Sequence, residues 1–155
     1  MTLRYVPMSD DEARRIRKGG PDAYGNAAER QISDGDGVPC RHCLQNVGAG
    51  EPYLIFALRP FSSLQPYAET GPVFMHAEEC PAHAGEARPP ILSSSVSYLL
   101  RGYGANERIV YGTGGVVPKE QLEERAAELL ARSDVVSVHV RSAKNNCYQC
   151  RIELA

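Results

Sequence analysis

Short runs of β-branched and aromatic residues, each ended within a few positions by glycine, proline or asparagine, dominate this chain. Such punctuation prevents long helices, because glycine and proline are the residues a helix interior tolerates least. Residues 3–6 read as a short edge strand closed by Pro7. A strand apolar on both faces is expected at 53–58, and another at 73–76. Residues 95–103 and 107–111 suggest a hairpin around Gly104-Ala105-Asn106. Residues 135–140 and 147–154 suggest a closing pair, turned by Asn145-Asn146 because Asn tolerates positive φ. A further strand is expected at 28–32, inside a Gly- and Asp-rich stretch, 19–38, expected to be the most mobile part of the chain. Residues 77–84 contain Pro81 and have room for at most one helical turn.

Two helices are expected. One, at about 9–18, opens on Ser9-Asp10-Asp11-Glu12, a capping box, and stops at Gly19-Gly20-Pro21. The other, at about 118–132, starts on Pro118 and aligns Leu122, Ala126, Leu129 and Leu130 on one stripe. Strands outnumber helices and no βαβ unit repeats. The expectation is an α+β fold in a single domain, residues 1–155, with a mostly antiparallel sheet.

At 155 residues, with 43% apolar and 23% charged residues, the chain has the length and composition for one packed core. A net charge of −2 argues against a nucleic-acid binder, which carries a basic footprint. No apolar run approaches the roughly 18 residues of a membrane span, and the N-terminus lacks a signal peptide's apolar core. The expected location is therefore cytoplasmic, with no membrane partner. Five cysteines there would stay reduced, and an odd number cannot all pair within the chain.

The chemistry-bearing pattern is Cys40-Arg41-His42-Cys43 followed by His76 and Cys80. A turn carrying Cys-x-x-Cys places two sulfurs about 3.5–4 Å apart, adjacent corners of a zinc tetrahedron with Zn–S near ~2.3 Å. His76 and Cys80 would supply the other corners, and zinc is the cofactor this set would take. With Gly50-Glu51 between the pairs, the segment from 39 to 81 is similar to a treble-clef zinc finger. A rival set joins Cys40 and Cys43 to Cys147 and Cys150, but strand alternation would send the last two sulfurs to opposite faces. A thiol–disulfide role would need a helix at Cys40, and Gly48, Gly50 and Pro52 follow too soon. Buried, unligated thiols are the remaining reading.

Other stretches carry a wider resemblance: Pro39-Cys40-Arg41 with Leu44, Pro66-Tyr67-Ala68-Glu69-Thr70-Gly71-Pro72-Val73-Phe74, and Leu100-Arg101-Gly102-Tyr103. It continues through Val138-His139-Val140-Arg141-Ser142-Ala143 and Cys147-Tyr148. In these the chain resembles a bacterial family catalogued only as domain of unknown function 1203. The resemblance implies one domain and no assigned activity. It also implies that positions 42, 43, 76 and 80 vary among relatives, which moves interest to Arg41, Arg101, Tyr103, His139 and Arg141.

Guanidinium, imidazole and phenol groups from separate segments could converge on a carboxylate or phosphate. On the expected strand, Val136, Val138 and Val140 would form an apolar face, leaving Ser137, His139 and Arg141 on the other. Three functions follow as expectations: a binding domain for a small anionic ligand or a protein partner, a zinc-binding interaction module, or an enzyme using Cys40 or His139. The sequence names no partner and leaves a homo-oligomer open. Gly112-Thr113-Gly114-Gly115 lacks the Lys-Ser/Thr of a P-loop and is expected to be a turn.

Overall fold

The computed structural model describes residues 1–155 and contains two sheets, both antiparallel throughout. The strands are β1 (Leu3–Val6), β2 (Glu29–Ile32), β3 (Pro52–Leu58), β4 (Gly71–His76), β5 (Ser97–Tyr103), β6 (Gly115–Pro118), β7 (Ser137–Ser142) and β8 (Tyr148–Leu154). The larger sheet runs β1-β8-β7-β5-β6 and the smaller β2-β3-β4. Two α-helices, α1 (Asp10–Arg17) and α2 (Leu122–Leu130), complete an α+β domain. No helix is long and apolar enough to cross a membrane.

Each helix follows from its local chemistry. The Ser9 hydroxyl accepts from the Glu12 N–H, and Asp10, Asp11 and Glu12 place negative charge at the helix's positive end. α2 is shorter than expected. Pro118 ends β6, and a single 3-10 turn, Lys119–Gln121, precedes the α-helix. Its stripe is as expected: Leu122, Ala126, Leu129 and Leu130 are all buried. Each leucine so buried stabilises the fold by about 2 kcal/mol.

That stripe packs on one face of the larger sheet, against Tyr5, Tyr98, Leu100, Val138, Val140, Cys150 and Ile152. A second core gathers Ala13 and Ile16 of α1 with Leu54, Phe56, Leu58, Val73 and Met75 of the smaller sheet and with Val38, Cys40, Cys43 and Val47. Tyr148 of β8 joins this second core. It does so because the β7–β8 register shifts after Val140 and brings Tyr148 opposite Arg141. The other face of the larger sheet is thereby enclosed, and Ser137, His139 and Arg141 on it are buried.

Two sequence expectations are corrected. Residues 107–111 do not form the partner of β5; only an isolated bridge links Tyr103 to Ile109. β5 pairs instead with β6, Ser97 opposite Pro118 and Leu100 opposite Gly115. Between them Thr113 folds inward, and its hydroxyl accepts the Gly102 N–H at 2.9 Å. That contact takes the place of a ladder bond. Val136, expected on the apolar face, is half exposed and precedes β7.

Candidate functional site

The cysteine–histidine positions converge. The ligand atoms of Cys40, Cys43, His76 and Cys80 all lie within 4.8 Å of one another. Cys40 and Cys43 sit in a tight turn in which Cys40 N–H bonds Gln45 O and Leu44 N–H bonds Cys40 O. Leu44 closes it with a φ of 58°, the left-handed conformation glycine would adopt freely. Its side chain is fully buried in the α2 core, so packing holds a residue that backbone sterics disfavour. The turn is stitched to β4 by a parallel bridge from Cys40 to Phe74. His76 ends β4, and Cys80 follows in irregular chain. The helix that a treble clef would place there is absent, as Pro81 requires.

Cys40 Sγ is 3.8 Å from Cys80 Sγ, and Cys43 Sγ is 3.4 Å from His76 Nδ1. N–H groups point at the sulfurs. Those of Cys43 and His76 reach Cys40, that of Gln45 reaches Cys43, and the Arg17 guanidinium reaches Cys80 at 3.0 Å. The Cys43 and Cys80 thiols and these amides hold the Cys40 thiol well below its usual range; Cys43 and Cys80 are raised, first by their hydrogen bonds to Cys40 and then by their other surroundings, burial among them. His42 Nδ1 lies 3.3 Å from Cys80 Sγ and its Nε2 2.6 Å from Asp10. Glu51 lies 3.7 Å from His76 Nε2 and also accepts the Gly48 N–H. A carboxylate behind a histidine is the arrangement that fixes the tautomer of a metal ligand.

Asp10, Arg17 and His42 were not legible as supports, since their contacts span more than thirty residues of chain and are made only in the folded protein. The single sequence signal was a histidine inside the Cys-x-x-Cys turn. The rival set does not form: Cys150 is buried in the α2 core, while the Cys147 thiol faces Asn145 O.

The second group of expected residues divides. Arg101 and Arg141 meet on one carboxylate, Glu69, at 2.8 and 3.5 Å. Tyr103 stacks on His139, ring centroids 4.1 Å apart, and Phe61 lies 5.2 Å from the same imidazole. Burial first, then the charges of Arg141, Arg151 and Arg101, push His139 well below the ordinary histidine value, so it is neutral. Burial raises the Tyr103 phenol. Arg41 stands apart. It is buried with Nε donating to Tyr148 O and Nη1 to Pro39 O, and shares no ion-pair partner with Arg101 or Arg141. Burial lowers its guanidinium to about 10.

Fold and site together define the class: a two-sheet α+β domain with a Cys3His cluster able to hold a metal ion. Residues 37–153 match the family described as protein of unknown function (DUF1203), and the chain belongs to it. No curated protein and no solved structure matches the chain.

Proposed function

We propose that this protein is a zinc-stabilised binding module, with one Zn²⁺ held by Cys40, Cys43, His76 and Cys80. One observation carries the reading: three sulfurs and an imidazole nitrogen converge while backbone and guanidinium N–H groups are aimed at the sulfurs. Such donors favour the thiolate, the form that ligates metal. Thiolate and imidazole donors select zinc over the oxygen-seeking cations. Four protein ligands close the coordination sphere, which is the mark of a structural site. Three thiolates on Zn²⁺ leave one negative charge, and Arg17 beside Cys80 offsets it. Cys40 is fully buried, which suits a ligand better than a nucleophile. The metal would fasten the Cys-x-x-Cys turn to the end of β4 and to the chain at Cys80, and α1 joins them through Arg17, which donates to His76 O and Cys80 Sγ.

Elemental analysis of protein purified without chelator tests this, with about one zinc per chain expected. Cobalt substitution should give the visible absorption of a tetrahedral thiolate site, and Cys43→Ser should weaken it. Protein that is folded, free of zinc and colourless with cobalt would refute the assignment.

A further inference from the structure

The three sulfurs of the Cys3His cluster differ in their access to solvent: Cys40 and Cys43 are buried, whereas Cys80 is partly exposed. Cys80 is also the one member of the cluster that lines an open cleft of about 780 Å³, together with Asp10, Arg14, Arg17, His42 and Glu78. A small polar solute entering that cleft meets this sulfur first. Reactive cysteines are partly exposed and sit beside a cation. Cys80 satisfies both conditions, with Arg17 Nη2 3.0 Å from its Sγ.

Behind Cys80 stands a second sulfur, Cys40 Sγ, 3.8 Å away. An accessible thiolate with another thiol next to it is the arrangement of redox-sensing cysteines. Burial hides Cys40 from an oxidant in solution but not from the neighbouring sulfur. The chain at Cys80 is free to make the approach. A disulfide needs the two sulfurs about 1.8 Å closer than they stand, and residues 78–82 make no backbone–backbone hydrogen bond that would resist the shift. Cys147 is likewise partly exposed, but its thiol faces Asn145 O rather than a second sulfur.

We propose that Cys80 is a site of oxidation by hydroperoxides and that its disulfide with Cys40 opens the metal site. The inference rests on the zinc assignment above and adds what regulates that centre. Ligation holds Cys80 as a thiolate. Its sulfur attacks one peroxide oxygen, the O–O bond breaks and hydroxide leaves, giving the sulfenic acid. The Cys40 thiolate then attacks the Cys80 sulfur; the S–S bond forms, the S–O bond breaks and a second hydroxide leaves. The two sulfurs together give up two electrons, and the peroxide takes them. Zn²⁺ loses two of its four ligands and dissociates. The Arg17 tie from α1 to His76 O and Cys80 Sγ then loses its sulfur partner.

Hydrogen peroxide added to the zinc-loaded chain tests this, with a chromophoric indicator for released zinc and peptide mapping by mass spectrometry for the bridge. About one zinc per chain should leave as a Cys40–Cys80 disulfide forms, and thiol reductant with added zinc should reverse both. Cys80→His keeps a ligand for the metal but removes the attacked sulfur, so peroxide should release its zinc about tenfold more slowly, because only buried thiolates remain. If that variant takes up no zinc, the wild-type peptide map decides alone. Cys147→Ser should change nothing. Zinc retained while Cys147 is oxidised, a bridge between any other pair, or release as fast from Cys80→His overturns the proposal. A chain that purifies without zinc refutes the metal reading alone. Peroxide should still bridge Cys40 to Cys80 in that chain, and a missing bridge there sinks this proposal too.

Discussion

His42 lies between Asp10 and Cys80 without being one of the four ligands, 2.6 Å from the one and 3.3 Å from the other. Its replacement by alanine should leave zinc bound but lower the affinity about 10- to 100-fold, the usual consequence of losing an outer partner. Competition against a chromophoric chelator measures this; unchanged affinity would reduce His42 to a packing role. Leu44 sets two effects against each other. Leu44→Gly relieves a left-handed backbone worth about 1–2 kcal/mol, but empties a fully buried site, which costs about 2–5 kcal/mol. The cavity wins, and urea denaturation should show net destabilisation. Cys40, Cys43, His76 and Cys80 were legible as candidate ligands because residue type and spacing carry that chemistry. The contacts of His42 and Arg17 were not, since each spans long stretches of chain.

At the scale of elements, the β5–β6 pairing depends on a close approach. A Cβ on Gly102 would stand 3.1 Å from Thr113 Oγ1 and 3.2 Å from its Cβ. Gly102→Ala should therefore displace Thr113 and break its bond to the Gly102 N–H, destabilising the protein by about 1–3 kcal/mol. The same urea titration reads it, and wild-type stability would mean that Thr113 moves aside freely. Strand patterning alone favoured residues 107–111 as the partner, because they follow a turn and carry Ile109, Val110 and Tyr111. Thr113 at the Gly102 backbone redirects the chain, and periodicity holds no trace of such a contact. The α2 stripe was legible because its four buried positions repeat at helical spacing on a single element.

The whole molecule rests on two cores, and the Cys3His cluster belongs to only one of them. Removing zinc by chelation should expose the amides of α1, β3, β4 and the Cys-x-x-Cys turn to hydrogen exchange. The amides of β5, β7, β8 and α2 should keep their protection. Uniform loss would show that the two cores unfold together. A second long-range tie joins β1, α2 and the chain before β5: Glu123 accepts from Tyr5 Oη at 2.7 Å and from Arg88 Nε at 2.6 Å. Burial raises this carboxyl, but the hydrogen bonds from Arg88 and Tyr5 outweigh it and hold it below the ordinary glutamate value. A depressed folded value means the stabilisation is complete above the unfolded carboxylate's pKa of about 4.3 and fades as pH falls through the lower folded one. Glu123→Gln should cost about 1 kcal/mol at pH 7, as for a partly exposed pair. The gap from wild type should close in acid, and a pH-independent gap would contradict this.

The sequence by itself determined the fold class, the capped first helix, the buried face of the second and the four candidate ligands. Each of these is written in neighbouring residues, in their spacing or in their donor chemistry. Only the tertiary structure decided that Arg41 turns inward while Arg101 and Arg141 share Glu69, and that β6 rather than residues 107–111 completes the sheet. The arginine outcomes depend on which carbonyl or carboxylate a buried cation reaches, such as Tyr148 O for Arg41 and Glu69 for Arg101 and Arg141; the strand pairing depends on Thr113 meeting the Gly102 backbone. Local pattern sets which face of a strand is polar; what closes over that face is set by the packing of one sheet on the other.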